Sequence, residues 1–172
     1  MADTVEVNLL CKQYMERVYE GVTGFIRYES GEKEKNQLAK IYLTYGEILF
    51  ASVEILMSKL ILDKNDVFCD LGSGIGKMAM QVFMTTAVKE SFGVEASNER
   101  YQRAQKSASQ LHKDLPEVYE PLRKLYFING IMKIISYIRK YTCELNTTHF
   151  VHRVSILIIL MECFSYRVFF LG

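Results

Sequence analysis

Apolar and polar positions along the middle of the chain alternate between two periods. Leu49, Val53, Leu56 and Leu60 recur at intervals of three and four, the face of a helix. Asn65-Asp66 breaks that pattern, and Val67-Phe68-Cys69 is a short apolar run of the kind buried in a parallel sheet. It leads straight into Asp70-Leu71-Gly72-Ser73-Gly74-Ile75-Gly76, after which Ile75, Met78, Ala79, Val82 and Phe83 recover the helical period. Ser91-Phe92-Gly93-Val94-Glu95 reads as a second strand and Ser97 as a helix N-cap. Tyr101, Ala104, Ala108 and Leu111 mark the helix face that follows, and Leu125-Tyr126-Phe127-Ile128 a third strand. Upstream, Glu6 to Tyr19 fits a weakly amphipathic helix, and the charged run from Tyr28 to Asn36 a solvated loop or helix start.

Helix, strand, glycine turn, helix, strand, helix, strand is the rhythm of a doubly wound α/β sheet. Right-handed crossovers would bring the glycine turn and Glu95 together at the carboxyl edge, where such sheets bind ligands. A length of 172 residues suits one domain, and 49% hydrophobic with 24% charged residues excludes a disordered or fibrous chain. With a net charge of +1 there is no strong nucleic-acid signature. Four cysteines, Cys11, Cys69, Cys143 and Cys163, form no CxxC pair, which predicts a reducing compartment, a structural thiol at Cys69 and no metal site.

Residues 131–172 behave differently. Five basic residues (Lys133, Arg139, Lys140, Arg153 and Arg167) face Glu144 and Glu162, with no Asp, no Pro and no Gly before Gly172. The turn chemistry of an α/β sheet is nearly absent, and the pattern assigns this tail no element. Val154 to Leu171 is interrupted by Glu162 and Arg167, and its charge-free runs are far short of the roughly 20 residues of a membrane span, so no membrane is expected. Nor does Met1-Ala2-Asp3-Thr4 begin a secretory signal.

Gly72, Gly74 and Gly76 permit a tight turn and close backbone approach to a ligand. A helix beginning near Ile75 would add unpaired N–H groups and a positive dipole end. The dinucleotide pattern G-x-G-x-x-G does not fit, because its third glycine comes one position early and Lys77 stands in its place. Asp70 would also repel a pyrophosphate. The same carboxylate suits the ammonium of S-adenosylmethionine. Glu95, 19 residues after Gly76, has the spacing of an acid that accepts from ribose hydroxyls.

Beyond this chemistry, the stretch from Val67 to Lys77, Phe92-Gly93-Val94-Glu95, and the upstream Thr44-Tyr45-Gly46-Glu47 resemble a particular family. It is the catalytic domain of the non-SET histone H3 lysine methyltransferases named for disruption of telomeric silencing. The resemblance runs from about Tyr42 to Gly130. It implies an α/β, class-one S-adenosylmethionine-dependent methyltransferase of Rossmann-like, doubly wound form, methylating the globular core of histone H3 in nucleosomes, in the nucleus. Carried over by position, the cofactor contacts fall on Tyr45, Gly46, Glu47 and Ile48 as a closing loop. They continue on Phe68, Cys69, Asp70, Leu71, Gly72, Ser73, Gly74, Ile75, Gly76 and Lys77, with Glu95 on the ribose. Transfer from a sulfonium to an amine needs alignment and a neutral nucleophile rather than a dedicated base. Tyr45 is the candidate beside the reacting centre, while His112, His149 and His152 read as surface or tail residues.

The chain departs from the family in three places. Ile48 lacks the hydroxyl usual after Tyr-Gly-Glu, and Lys77 stands where Gln is common, each altering a contact worth on the order of 1 kcal/mol. After Gly130 the family continues Asp-Phe, then Asn-Asn-Phe further on; here Ile131-Met132 follows and no Asn-Asn pair occurs. The expected division is therefore an N-terminal helical and loop segment (1–41), a cofactor-binding part (42–130) and a non-matching hydrophobic tail (131–172). The implied chain is an incomplete domain, its tail a translated intron or an alternative isoform. Two alternatives remain beside histone methylation: a cofactor-binding but inactive fragment, and a methyltransferase for a non-histone substrate.

Overall fold

The computed structural model describes residues 4–25, 46–60, 62–130, 156–162 and 165–171. The loop expected at Tyr28 to Asn36, Tyr45, His149 and His152 lie outside the described residues. The elements are α1 (Thr4–Val18), α2 (Phe50–Ser58), β1 (Val67–Leu71), α3 (Lys77–Thr85), β2 (Glu90–Glu95), α4 (Asn98–Asp114), a 3-10 turn (Pro116–Tyr119), β3 (Lys124–Asn129), β4 (Ile156–Glu162) and β5 (Ser165–Leu171).

Strands β1, β2 and β3 form a parallel sheet in that order, with Asp70 opposite Gly93 and Gly93 opposite Phe127. This is a partial Rossmann-like α/β fold. Each strand reaches a residue or more beyond its expected apolar run; β1 carries Asp70 and Leu71 inside the sheet. Ser97 caps α4 as its residue type predicts, accepting from the Arg100 N–H. Tyr101, Ala104, Ala108 and Leu111 face inward, Tyr101 only partly buried.

α3 is buried on all sides, Met78 through Phe83 without a break, because α1 and α2 cover the face turned away from the sheet. α1 supplies Cys11, Tyr14 and Met15 to the same core, followed by Tyr19. It is tied down by the Tyr14 hydroxyl, which donates to Asp114 at 3.1 Å. Leu49 departs from expectation. It precedes α2 in extended conformation (φ −69°, ψ 146°) and is 73% exposed, so the buried face of α2 rests on Val53 with Leu56 partly covered.

Strands β4 and β5 pair antiparallel, in a tail to which the pattern assigned no element. The residues between them, Cys163-Phe164, carry none of the Gly, Asn or Asp signals that announce a hairpin. β4 runs alongside β1 without hydrogen-bonding to it. No helix of the described residues is long and apolar enough to cross a membrane.

Arg123 closes the end of the fold away from the glycine turn. Its guanidinium donates to the carbonyls of Val88, Val118, Phe83 and Thr86, at 2.9, 3.0, 2.5 and 2.8 Å, and lies 4.4 Å from the centroid of the Phe83 ring. Two of those carbonyls end α3, where a cation also complements the helix dipole. Arg123→Ala is expected to lower unfolding free energy by about 2–3 kcal/mol, the cost of leaving several carbonyls poorly satisfied. Urea denaturation followed by circular dichroism would measure it; a change under about 0.5 kcal/mol, the usual size at ordinary surface positions, would refute this role.

Candidate cofactor site

The end of β1, the glycine turn and the end of β2 are held together by backbone bonds and one carboxylate. Gly72 N–H and Ser73 N–H both donate to the Val94 carbonyl, at 2.8 and 3.1 Å. Glu95, buried, accepts from Gly74 N–H through Oε2 at 2.8 Å and from Ser97 N–H through Oε1 at 2.7 Å. Buried Arg100 stands 3.9 Å from Oε1 and donates its Nε–H to the Gly24 carbonyl at 2.8 Å. Glu95 therefore sits beside the turn, as its spacing predicts, while already fastening the turn to the start of α4.

All three glycines of the turn have positive φ: 85° at Gly72, 56° at Gly74 and 85° at Gly76. A Cβ at Gly76 would stand 2.4 Å from the Phe127 ring, so this glycine also admits β3. At Gly72 a Cβ would meet nothing within 4 Å among the described residues, so among these the turn is open at its first glycine. The helix starts at Lys77 rather than near Ile75, because the left-handed Gly76 occupies the N-cap. No side chain caps α3, and its first N–H groups are left to solvent or a ligand.

Asp70 lies near the end of β1, two residues before Gly72. It is buried and makes no ion pair among the described residues. Burial, and then the charge of Glu95, push its carboxyl up to about 7. Ser73 Oγ is also buried, without a hydrogen-bond partner among the described residues. A cation-bearing ligand with polar atoms fits this donor and acceptor set: a buried acid without a countercharge, an unpartnered hydroxyl and an open glycine turn.

The other expected contacts divide in two. Phe68 and Ile75 have side chains in the core shared by α1 and α3, and Cys69 and Leu71 in a second cluster with Phe92 and Val94. These four can offer a ligand backbone groups only. Burial, and then Asp70, push the Cys69 thiol up, which fits an inert structural thiol. Gly46, Glu47 and Ile48 precede α2, and Lys77 Nζ pairs with Glu47 Oε2 at 2.6 Å. Glu47, Ile48 and Lys77 line a cavity of about 280 Å³ with Tyr19, Phe50 and Gln81. The departure at Lys77 thus places a cation against the loop expected to close the site. Two residues at the site escaped the sequence pattern, Tyr19 and Arg100. Both act across more than 50 positions, and neither lies in a motif. Among the described residues no group of three or more potential metal ligands occurs. His112 is an exposed helix residue tilted against Tyr119.

The fold defines a partial Rossmann-like α/β protein whose glycine turn follows the first strand of its parallel sheet. Its sequence relationships are narrower. The family described as histone methylation protein DOT1 matches residues 32–130, more than half of the chain, and the protein belongs to that family. The match begins ten residues before Tyr42 and ends at Gly130. A curated relative from Kluyveromyces lactis, an H3 lysine-79 specific histone-lysine N-methyltransferase, is 28% identical over 109 residues, 59% of this chain and 19% of the relative. One of the same description from Candida glabrata is 43% identical over 51 residues, 30% of this chain and 8% of the relative. The matched stretches thus span less than a fifth of these relatives' lengths. A protein-L-isoaspartate O-methyltransferase of known structure is similar at a TM-score of 0.38 and 13% identity, over 74% of this chain and 42% of that one, too distant to bear on function.

Gly76→Ala adds a methyl against the Phe127 ring in a left-handed backbone and is expected to cost about 3 kcal/mol, whereas Gly72→Ala, strained but unobstructed, should cost about 1. Thermal unfolding of both variants checks the order; equal losses would refute the close packing at Gly76. Asp70 makes a second prediction. Its folded carboxyl titrates near 7 against an ordinary value of 3.8, so the folded chain binds more protons than the unfolded one between those values. Stability should fall as pH rises from about 4 to about 7 and then level off. Asp70→Asn should flatten this part of the profile and stabilise the free protein at pH 8 by about 1–3 kcal/mol. An unchanged denaturant midpoint at pH 8 would contradict the buried, uncompensated charge.

Proposed function

We propose that this chain binds S-adenosylmethionine at the glycine turn and serves S-adenosylmethionine-dependent lysine N-methylation of the globular core of histone H3 in nucleosomes, in the nucleus. The observation that carries the reading is Asp70, a buried acid with no ion pair among the described residues, two residues before the glycine turn in a member of the histone methylation family. The cofactor, when bound, supplies an electrophilic methyl group. Asp70 would hold its ammonium and Glu95 would accept from its ribose, each Glu95 oxygen keeping a lone pair beyond the N–H it already receives. The backbone from Phe68 to Lys77 would follow the methionine end. Tyr45, Gly46, Glu47 and Ile48 would close over it, with Tyr45 nearest the reacting centre. Residues 42–130 are then the cofactor-binding part, between an N-terminal segment and a tail of different character.

A second reading, cofactor binding without transfer, is favoured by Ile131-Met132 where the family's Asp-Phe is expected. Calorimetry with S-adenosylmethionine, and transfer of labelled methyl to nucleosomes, separate the two. Binding with transfer supports the proposal, binding without transfer the second reading, and transfer to free small molecules or other proteins alone a non-histone substrate. No binding at millimolar cofactor overturns all three.

Binding should also depend on pH with a definite sign. A cationic ligand needs Asp70 ionised, so affinity should rise with pH up to about 7, by at most about tenfold per unit, and flatten above it. At pH 6, calorimetry in buffers of different ionisation enthalpy should show release of up to about one proton. Asp70→Asn should abolish the release and weaken binding at pH 8. A pH-independent affinity between 5.5 and 8 would remove Asp70 from the ammonium site.

A further inference from the structure

The peptide unit joining Ile75 to Gly76 is gripped at both ends. Its N–H, on Gly76, donates to the Ser73 carbonyl at 2.8 Å within the turn. Its carbonyl, on Ile75, accepts from the Tyr19 hydroxyl at 3.1 Å. Tyr19 follows α1 and lies before residue 32, where the family match begins, yet it is buried at the turn. Lys77 Nζ stands 5.4 Å from the centroid of its ring. This peptide leads into the left-handed Gly76 and so sets the direction in which the first turn of α3 points. Met80 N–H returns to the Gly76 carbonyl at 3.0 Å, so the helix ladder begins from the same residue.

We propose that Tyr19 is a positioning residue of the cofactor turn: its hydroxyl, reaching in from outside the family-matched segment, fixes the Ile75–Gly76 peptide and thereby the N-terminal turn of α3 that faces the ligand. The inference rests on the reading of this turn as the cofactor site. Burial pushes the Tyr19 phenol well above its ordinary range, so it remains a donor at every working pH. Without that donor, the Ser73 carbonyl alone holds the peptide.

The test compares Tyr19→Phe with Tyr14→Phe in the full chain. Tyr14 lies on the same α1 and loses a hydroxyl bond of the same length, but to Asp114. Two readouts are taken: amide hydrogen exchange at Ile75, Gly76 and Lys77, and the dissociation constant for S-adenosylmethionine. Tyr19→Phe should speed exchange at Gly76 by about fivefold or more and weaken cofactor binding about three- to tenfold. Tyr14→Phe should leave both within twofold, even where its melting temperature falls as far. Exchange at Gly76 unchanged in Tyr19→Phe, or accelerated equally by both variants, overturns the proposal. Should the parent chain bind no cofactor, the cofactor reading fails, while hydrogen exchange still decides whether Tyr19 holds the turn.

Discussion

A single buried carboxylate ties the glycine turn to the junction of β2 and α4. Glu95 ends β2, yet its two oxygens receive the Gly74 N–H from the turn after β1 and the Ser97 N–H from the start of α4. The first of these bonds spans 21 positions and fastens the turn after β1 to the adjoining ends of β2 and α4. Charge-assisted bonds to backbone N–H groups are stronger than neutral ones, and burial raises the penalty for breaking them. Arg100, equally buried, places its guanidinium 3.9 Å from the same carboxylate.

Asp70 stands in the opposite electrostatic position. It too is buried at the carboxyl edge, but no cation among the described residues reaches it, and the Glu95 charge adds to its cost. An acid kept at the expense of stability is the usual mark of a site whose missing partner is a ligand. Two neighbouring carboxylates thus differ: Glu95 is held by N–H groups of the fold, whereas Asp70 pairs with no cation among the described residues. The unpartnered Ser73 hydroxyl and the open space at Gly72 lie in the same turn.

The central elements were legible because their signals are local. Period, N-cap and glycine turn each occupy a few consecutive residues, and Ser97, Gly72 and the Ala104 to Leu111 face behave as their types require. Interactions whose two halves lie far apart were not legible. Nothing near Tyr19 announces a bond to Ile75, nothing near Arg123 announces the four carbonyls it collects, and the Gly76 requirement comes partly from Phe127. Helical period placed Leu49 inside because it cannot see where the helix begins; the extended backbone at that residue turns it outward. In the tail, Cys163-Phe164 gives no turn signal, so the pairing of β4 with β5 had no local marker.

The unbroken burial of α3 carries the argument to the rest of the chain. A helix covering one sheet face normally shows a polar outer side, but Met78 through Phe83 have none except Gln81, whose amide is spent on the Phe50 carbonyl. The outer side is covered by α2 and by α1, and α1 lies before the family-matched residues. Burying six consecutive residues of this kind depends on that cover, since exposed Met, Val and Phe would forfeit about 1.5–3 kcal/mol each. The helix that follows the glycine turn is thus held in place by residues that carry no motif. β1 shows a related mismatch: by strand order it is an edge strand, yet four of its five residues are buried, as in a central strand. Its second side is flanked by β4, which belongs to the other sheet, so among the described residues no ladder covers this edge.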